Sequence, residues 1–392
     1  MIRTLCIAFF SAAYCFASAS SSYGQIVDVW FGTSTPRGGE SRGIYHSTFD
    51  IKTGKLTRSS LAAEIQNPGF IAIHPDGKTL YATGAPANQA ASAGDSVSAF
   101  RVTGEVGKKK LEYLGSAATG DGGAAHVATD RAGKVLFSAQ YGGGSTSLYD
   151  LADDGSIIGL TEVKEHSELL PKAVSGVVGN RQDAPHAHWT GTSPDDRFVF
   201  VPDLGMDRVV IWKLDADKPS LTHHGFGICP PGGGPRHMKF SPDGSRIYVL
   251  NELALSVTVF DYDAEAGTMT PGQTIPTLSE ETKAKETFNS ASEIRVHPSG
   301  RFIFTANRGN DSISAFRVDD SGQLSLTEVE PIRGGWPRNF GMDPTGRWLI
   351  VAGQESNTAT VFSIDQESGE LMFVRETQDV PTPICVLFGT PE

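Results

Sequence analysis

Five side chains with chemistry to offer stand at two fixed distances from a recurring turn. Eight places before Asp196, Gly244 and Gly346 are His188, Arg236 and Arg338, and eight places after Gly244 and Gly300 are Glu252 and Arg308. Arginines gathered at one point bind a carboxylate or phosphate through paired N–H donors and stabilise a developing oxyanion. A carboxylate among them can take a proton from water, and an imidazole can pass one near neutral pH. The set suits acyl–oxygen chemistry on an anionic or polyhydroxylated substrate. Arg236 and Arg308 would hold its oxygens, Glu252 would act as general base, and His188 would give a proton to the leaving oxygen. Arg338 is a further binder. His186 shares a side of the extended chain with His188, while His126 and His237 lie one place further along equivalent strands, so all three are candidate substrate contacts.

Other readings use the same residue types. Arg and Glu at strand ends also form ion pairs that only lock neighbouring elements together, and His188 beside Trp189 fits a structural histidine. His74 and His297 each precede a turn proline and read as turn residues. A zinc set drawn from His166, His186, His188, His223 and His224 lacks a ligand spacing such as H-E-x-x-H, so no metal and no cofactor is expected. The triple glycines at 142–144 and 232–234 lack the Lys-Ser/Thr and helix of a phosphate loop.

The elements that position these residues repeat. In Gly232 to Asp261 an apolar run enters Ser241-Pro-Asp-Gly244, a second leaves it, and a third follows from Ser256 to Phe260. Pro presets φ, Asp bonds its own backbone and Gly supplies positive φ, so the runs read as a hairpin extended to a meander. Turn glycines or their equivalents fall at 77, 133, 196, 244, 300 and 346, spaced by roughly the 50 residues of a propeller blade. Six copies plus the N-terminal strands make seven units. Ile384 to Phe388 has no hairpin of its own and reads as the strand that completes the first blade and closes the ring. The predicted fold is all-β: a seven-bladed propeller of four-stranded antiparallel blades, with the N- and C-terminal strands sharing one blade. Glu162 to Pro185 reads as a loop over one face, and Thr277 to Ser290 as a connection with a short helix.

The 392 residues, 39% hydrophobic and 20% charged, suit one large repeat domain over 20–392. A net charge of −12 opposes nucleic acid or an anionic membrane as partner. Residues 1–19 read as a signal peptide, with Arg3, an apolar Leu5 to Phe16, and Ala17-Ser-Ala19. That places the protein outside the cytoplasm, periplasmic or secreted, and off the membrane after cleavage. Cys229 and Cys385 then remain, to pair in an oxidising compartment or to stay as buried thiols.

Phe31-Gly-Thr33, Gly43-Ile-Tyr45, Asp203-x-x-x-Asp207-Arg208, Gly234-Pro-Arg-His237, Asn251-Glu252 and Ala306-Asn-Arg308-Gly-Asn310 together resemble the lactonase family of seven-bladed propellers. That family holds the propeller-type 6-phosphogluconolactonases and the fungal 3-carboxy-cis,cis-muconate lactonizing enzyme. The resemblance implies metal-free chemistry in an open cleft, with the active-site His, Arg, Glu and Arg falling on His188, Arg236, Glu252 and Arg308. The expectation is an exported lactonase on a sugar-type lactone, as a monomer or weak oligomer. A muconate-type cycloisomerase using the same residues is the alternative within the family. A non-catalytic binding propeller is the alternative outside it.

Overall fold

In the blade built around the Ser241–Gly244 turn, Pro235–Phe240, Arg246–Asn251, Ser256–Asp263 and Thr268–Pro276 pair in order as an antiparallel sheet. Gly244 takes φ +71°, and the Asp243 carboxylate accepts from the Ser245 N–H at 3.0 Å, as the turn chemistry requires. The two middle strands are apolar and buried, since a neighbouring blade covers each face. The outermost strand alternates toward solvent. This is a computed structural model, and it describes residues 25–86, 96–170 and 174–389. The expected signal segment, residues 1–19, lies outside the described residues.

Seven such sheets are arranged in a ring, giving an all-β seven-bladed propeller. The core lies between blades. Phe198, Phe200 and Ile211 of one blade, for example, interleave with Met238, Val249 and Phe260 of the next. Histidines at the turns add a polar stitch. His74 Nε2 lies 3.1 Å from the carbonyl of Gly133, and His297 Nε2 lies 2.8 Å from that of Gly346, each in the turn of the following blade. Both are turn residues, as the sequence suggests.

Closure is made by Pro383–Phe388, which pairs antiparallel with Ile26–Thr33 in the sheet that continues to Gly43–Asp50. The outer edge of that blade is divided between Lys55–Leu56 and Ser60–Glu64, which both pair with Gly43–Asp50. The stretch read as a loop from Glu162 instead continues the strand Ile157–Glu165, and only then turns through short 3-10 segments at His166–Glu168 and Gly179–Arg181. A helical turn, Glu280–Lys283, capped by the Ser279 hydroxyl on the Thr282 N–H, does sit in the connection from Thr277 to Ser290. Cys229 and Cys385 are free and buried.

Candidate active site

Equivalent residues of the innermost strands meet at the propeller axis. An axial cavity of about 220 Å³ at the end opposite the turns is lined by Gly69, Ala125, His188, Arg236, Arg338 and Ile384, with His237 and Asn339 at its base. A backbone irregularity puts them there. Pro235 and His237 pair across the hairpin with Asn251 and Leu250, so Arg236 is an extra residue; Arg338, Ala125 and Ile384 are extra in the same way. A bulge re-aims the side chain it adds. Residues at consecutive positions can therefore both face the axis, which strict alternation would forbid.

Arg236 is held from several sides. Its Nε lies 2.9 Å from Glu252 Oε2 as an ion pair without hydrogen-bond alignment, and its Nη1 donates to the carbonyl of Ser292 and, at 3.1 Å, to His237 Nε2. Glu252 Oε1 is also 3.0 Å from Arg308 Nη2 and 2.7 Å from Arg181 Nη2. Burial by itself would raise the Glu252 carboxyl, but Arg308, Arg236 and Arg181 together hold it down at about 2. A carboxylate so stabilised is a weak base for water, and it serves well as the anchor that fixes three guanidinium groups.

His188 differs. It is buried, and its Nδ1 has no hydrogen-bond partner. Burial first, then Arg236, His237 and Arg338, push the imidazole well below its usual range, so it is neutral at pH 7. The guanidinium of Arg338 has no ion-pair or hydrogen-bond partner among the described residues, although burial and Arg308 press its pKa down to about 10. Around the cavity Arg181, Arg236, Arg308 and Arg338 stand against Glu252, with Glu293 behind His237. The cavity is built for an anion or an oxyanion.

The loops that carry these residues are ordered by carboxylates, one buried and one half-buried. Asp207, at φ +52°, accepts from the N–H groups of Gly232 (2.6 Å) and Gly234 (2.8 Å) and from Gln182 Nε2 (2.7 Å), and it also accepts from the Ser175 hydroxyl. It thereby shapes the Gly232–Pro235 approach to Arg236. Gly234 has φ +64°, and a Cβ there would stand 2.5 Å from Leu253, so the position needs glycine. Asp311 holds the equivalent place before Arg338, accepting from the Trp336 N–H at 2.9 Å and the Gly309 N–H at 3.3 Å.

Of the eight side chains singled out from sequence, His188, Arg236, His237 and Arg338 line the cavity. Glu252 and Arg308 join it through Arg236. His186 and His126 do not face it. His186 stacks on Tyr141 with its Nδ1 2.8 Å from the Tyr141 carbonyl, while Ala187 between the two histidines bridges to Asp203; His126 packs on Phe70 and accepts the Thr190 N–H. The histidines considered for zinc are scattered. His166 is closed between Asp203 Oδ2 and Thr146 Oγ1 at 2.7 and 2.8 Å, and His224 bonds the Ala266 carbonyl. Among the described residues no group of three His, Cys, Asp or Glu is placed to hold a metal ion.

Two participants were missed. Arg181 arrives on the 174–185 connection, whose unusual length was the one available signal. Glu293 sits next to Ser292 in the innermost strand, 3.2 Å from His237 Nδ1, with Oε2 accepting from Asn339 Nδ2. It gives His237 its tautomer: Nδ1–H to Glu293, Nε2 open to Arg236.

The family model for "Lactonase, 7-bladed beta-propeller" matches residues 28–388. The 6-phosphogluconolactonase of Bacillus subtilis (strain 168) is 31% identical over 361 residues, covering 92% of this chain and 97% of its own. The 6-phosphogluconolactonase of Formosa agariphila is 32% identical over 335 residues, 84% and 90% of the two chains. Among solved structures, the Pseudomonas aeruginosa periplasmic gluconolactonase superposes with a TM-score of 0.83 at 28% identity, over 94% of this chain and 100% of that one. Blade count, the matched residues and full-length relatives agree: the chain belongs to the lactonase family of seven-bladed β-propellers.

Proposed function

We propose that the protein is an exported lactonase that hydrolyses a sugar-type lactone by general acid/base chemistry without a metal. The observation that carries this is the unpaired Arg338 guanidinium beside the neutral His188 in one cavity. Relatives named 6-phosphogluconolactonase and gluconolactonase support the substrate class. The base role expected of Glu252 passes to His188, because a carboxyl at about 2 resists taking a proton.

In this reading His188 takes a proton from water as its oxygen attacks the lactone carbonyl. The carbonyl oxygen becomes an oxyanion held by Arg236 and Arg308, whose positions Glu252 sets. Collapse breaks the acyl–oxygen bond, and the imidazolium returns its proton to the departing ring oxygen. The products are an alcohol and a carboxylic acid on one chain. Arg338 holds the substrate's anionic or hydroxyl-bearing end. Export rests on the leader-like 1–19 segment and on the periplasmic description of a solved relative.

The test is a pH-stat assay of purified mature protein on δ-gluconolactone and its 6-phosphate, beside Arg338→Ala. Turnover is expected, with KM raised roughly tenfold or more in the variant through loss of a charge-assisted contact. A folded protein that hydrolyses no lactone would overturn the reading, and consumption of a muconate-type diacid without hydrolysis would put the cycloisomerase in its place. Mass spectrometry of the extracytoplasmic protein should find residue 20 at the N-terminus.

A further inference from the structure

A second axial cavity, of about 850 Å³, opens at the turn end of the propeller, where Pro194, Pro242, Pro298 and Pro344 stand in its wall. Its shape follows from one strand position, five places before each turn residue: Ala72, Ala128, Gly191, Lys239, Arg295 and Gly341. Four of the six are alanine or glycine, which leaves the space open. The other two, on adjacent blades, are cations. Phe70 and His126 of this wall, with His237 and Glu293 beside them, form a layer between this cavity and the upper one.

The two cations are not equally committed. Arg295 Nη2 is 3.6 Å from Glu293 Oε2, and its Nε donates to the Phe340 carbonyl at 3.2 Å. The Lys239 ammonium lies 4.9 Å from the centre of the Trp189 ring and has no ion-pair or hydrogen-bond partner among the described residues. Burial holds it down to about 8, with Glu293 opposing and Arg295 adding to the shift. Asp343, the acidic residue in the wall, is spent on its own turn, accepting from the N–H groups of Thr345, Arg347 and Trp348. A half-buried ammonium facing open space with no carboxylate left to meet it is a charge waiting for a counter-ion.

We propose that this cavity is a ligand site for a small monocarboxylate with an apolar or aromatic body. The carboxylate would lie between Lys239 and the free edge of Arg295, and the body against Phe70, Trp189 and Phe240. In the inner wall Glu293 offsets Arg295 and leaves Lys239 as the unmatched cation, with Arg131 adding positive charge elsewhere in the lining, so one carboxylate is met directly by Lys239. Aromatic and apolar side chains around a few convergent polar groups are the usual form of such a site. The site is separate from the proposed lactone site.

The test is calorimetric titration of the mature protein with 3-phenylpropionate and with the neutral 3-phenylpropanamide. Each is run on the native chain, Lys239→Met, Ala128→Leu and Arg338→Ala. One-to-one binding of the acid is expected, unaffected by Arg338→Ala and absent for the amide. Lys239→Met should weaken it roughly tenfold or more, and Ala128→Leu, which fills the space without touching a charge, should also weaken it. Should Lys239→Met fail to fold, Ala128→Leu and the amide still decide the matter. Binding lost in Arg338→Ala but kept in Lys239→Met would place the ligand in the upper cavity and overturn the proposal, as would no binding at millimolar acid.

Discussion

His188 and Glu252 carry the sharpest tests at the level of single residues. Burial, Arg236, His237 and Arg338 keep the His188 imidazole neutral well below its usual range. A neutral imidazole is the active base, so kcat/KM should stay level from about pH 8 through 6.5 and fall only at more acidic pH. His188→Ala should lower kcat by roughly 10²–10⁴ and remove that acid limb, as initial rates across pH would show. Glu252 gives a stability test instead. Its folded-state value of about 2 lies below the ordinary 4.5, so the stabilisation is complete above pH 4.5 and is lost as pH falls from there toward 2. The shift corresponds to something on the order of 3 kcal/mol. Glu252→Gln leaves three guanidinium groups without their carboxylate and should cost about 3–5 kcal/mol, read by denaturant unfolding, with the acid sensitivity between pH 4.5 and 2 correspondingly reduced.

Individual elements matter through the loops that lead into the innermost strands. Asp207 spends its whole carboxylate on Gly232, Gly234, Gln182 and Ser175. Asp207→Ala should therefore cost about 3 kcal/mol in unfolding free energy, since several buried donors lose their acceptor. It should also lower lactone turnover without any contact to substrate, because the Arg236 bulge is set by that loop. Asp207→Asn, which tolerates positive φ and keeps one acceptor, should recover part of both losses. A thermal melt beside a rate measurement separates this positioning role from a purely structural one.

For the molecule as a whole, the ring depends on one strand. Pro383–Phe388 covers the edge of Ile26–Thr33 and supplies Ile384 to the upper cavity and Leu387 to the lower one. A chain ending at residue 382 would expose a paired edge and an apolar blade face. It should lose its cooperative melt and sediment as aggregate, whereas removal of residues after 388 should leave the melt in place. The closed ring is also what brings residues nearly 170 positions apart in the chain, such as Gly69 and Arg236, to one axis.

Much of this was legible in the residues. The turns at 77, 133, 196, 244, 300 and 346 each combine a Pro, Asp or Ser with a residue able to take positive φ, and local chemistry of that kind acts within a few residues. The repeat, the blade count and the meeting of His188, Arg236 and Arg338 on one face follow from it, because equal spacing in a repeat becomes equal position in a ring. What the tertiary structure decided was every outcome that depends on partners from other blades. Arg181, reaching Glu252 from a long connection, joined Arg308 and Arg236 in turning an expected base into an ion-pair anchor. The bulge at Arg236 let neighbouring residues share the axis, and stacking on Tyr141 with a contact to its carbonyl took the His186 ring away from it. The unmatched Lys239 is of the same kind, for sequence can name a charge but only packing can show that it has no ion-pair or hydrogen-bond partner among the described residues.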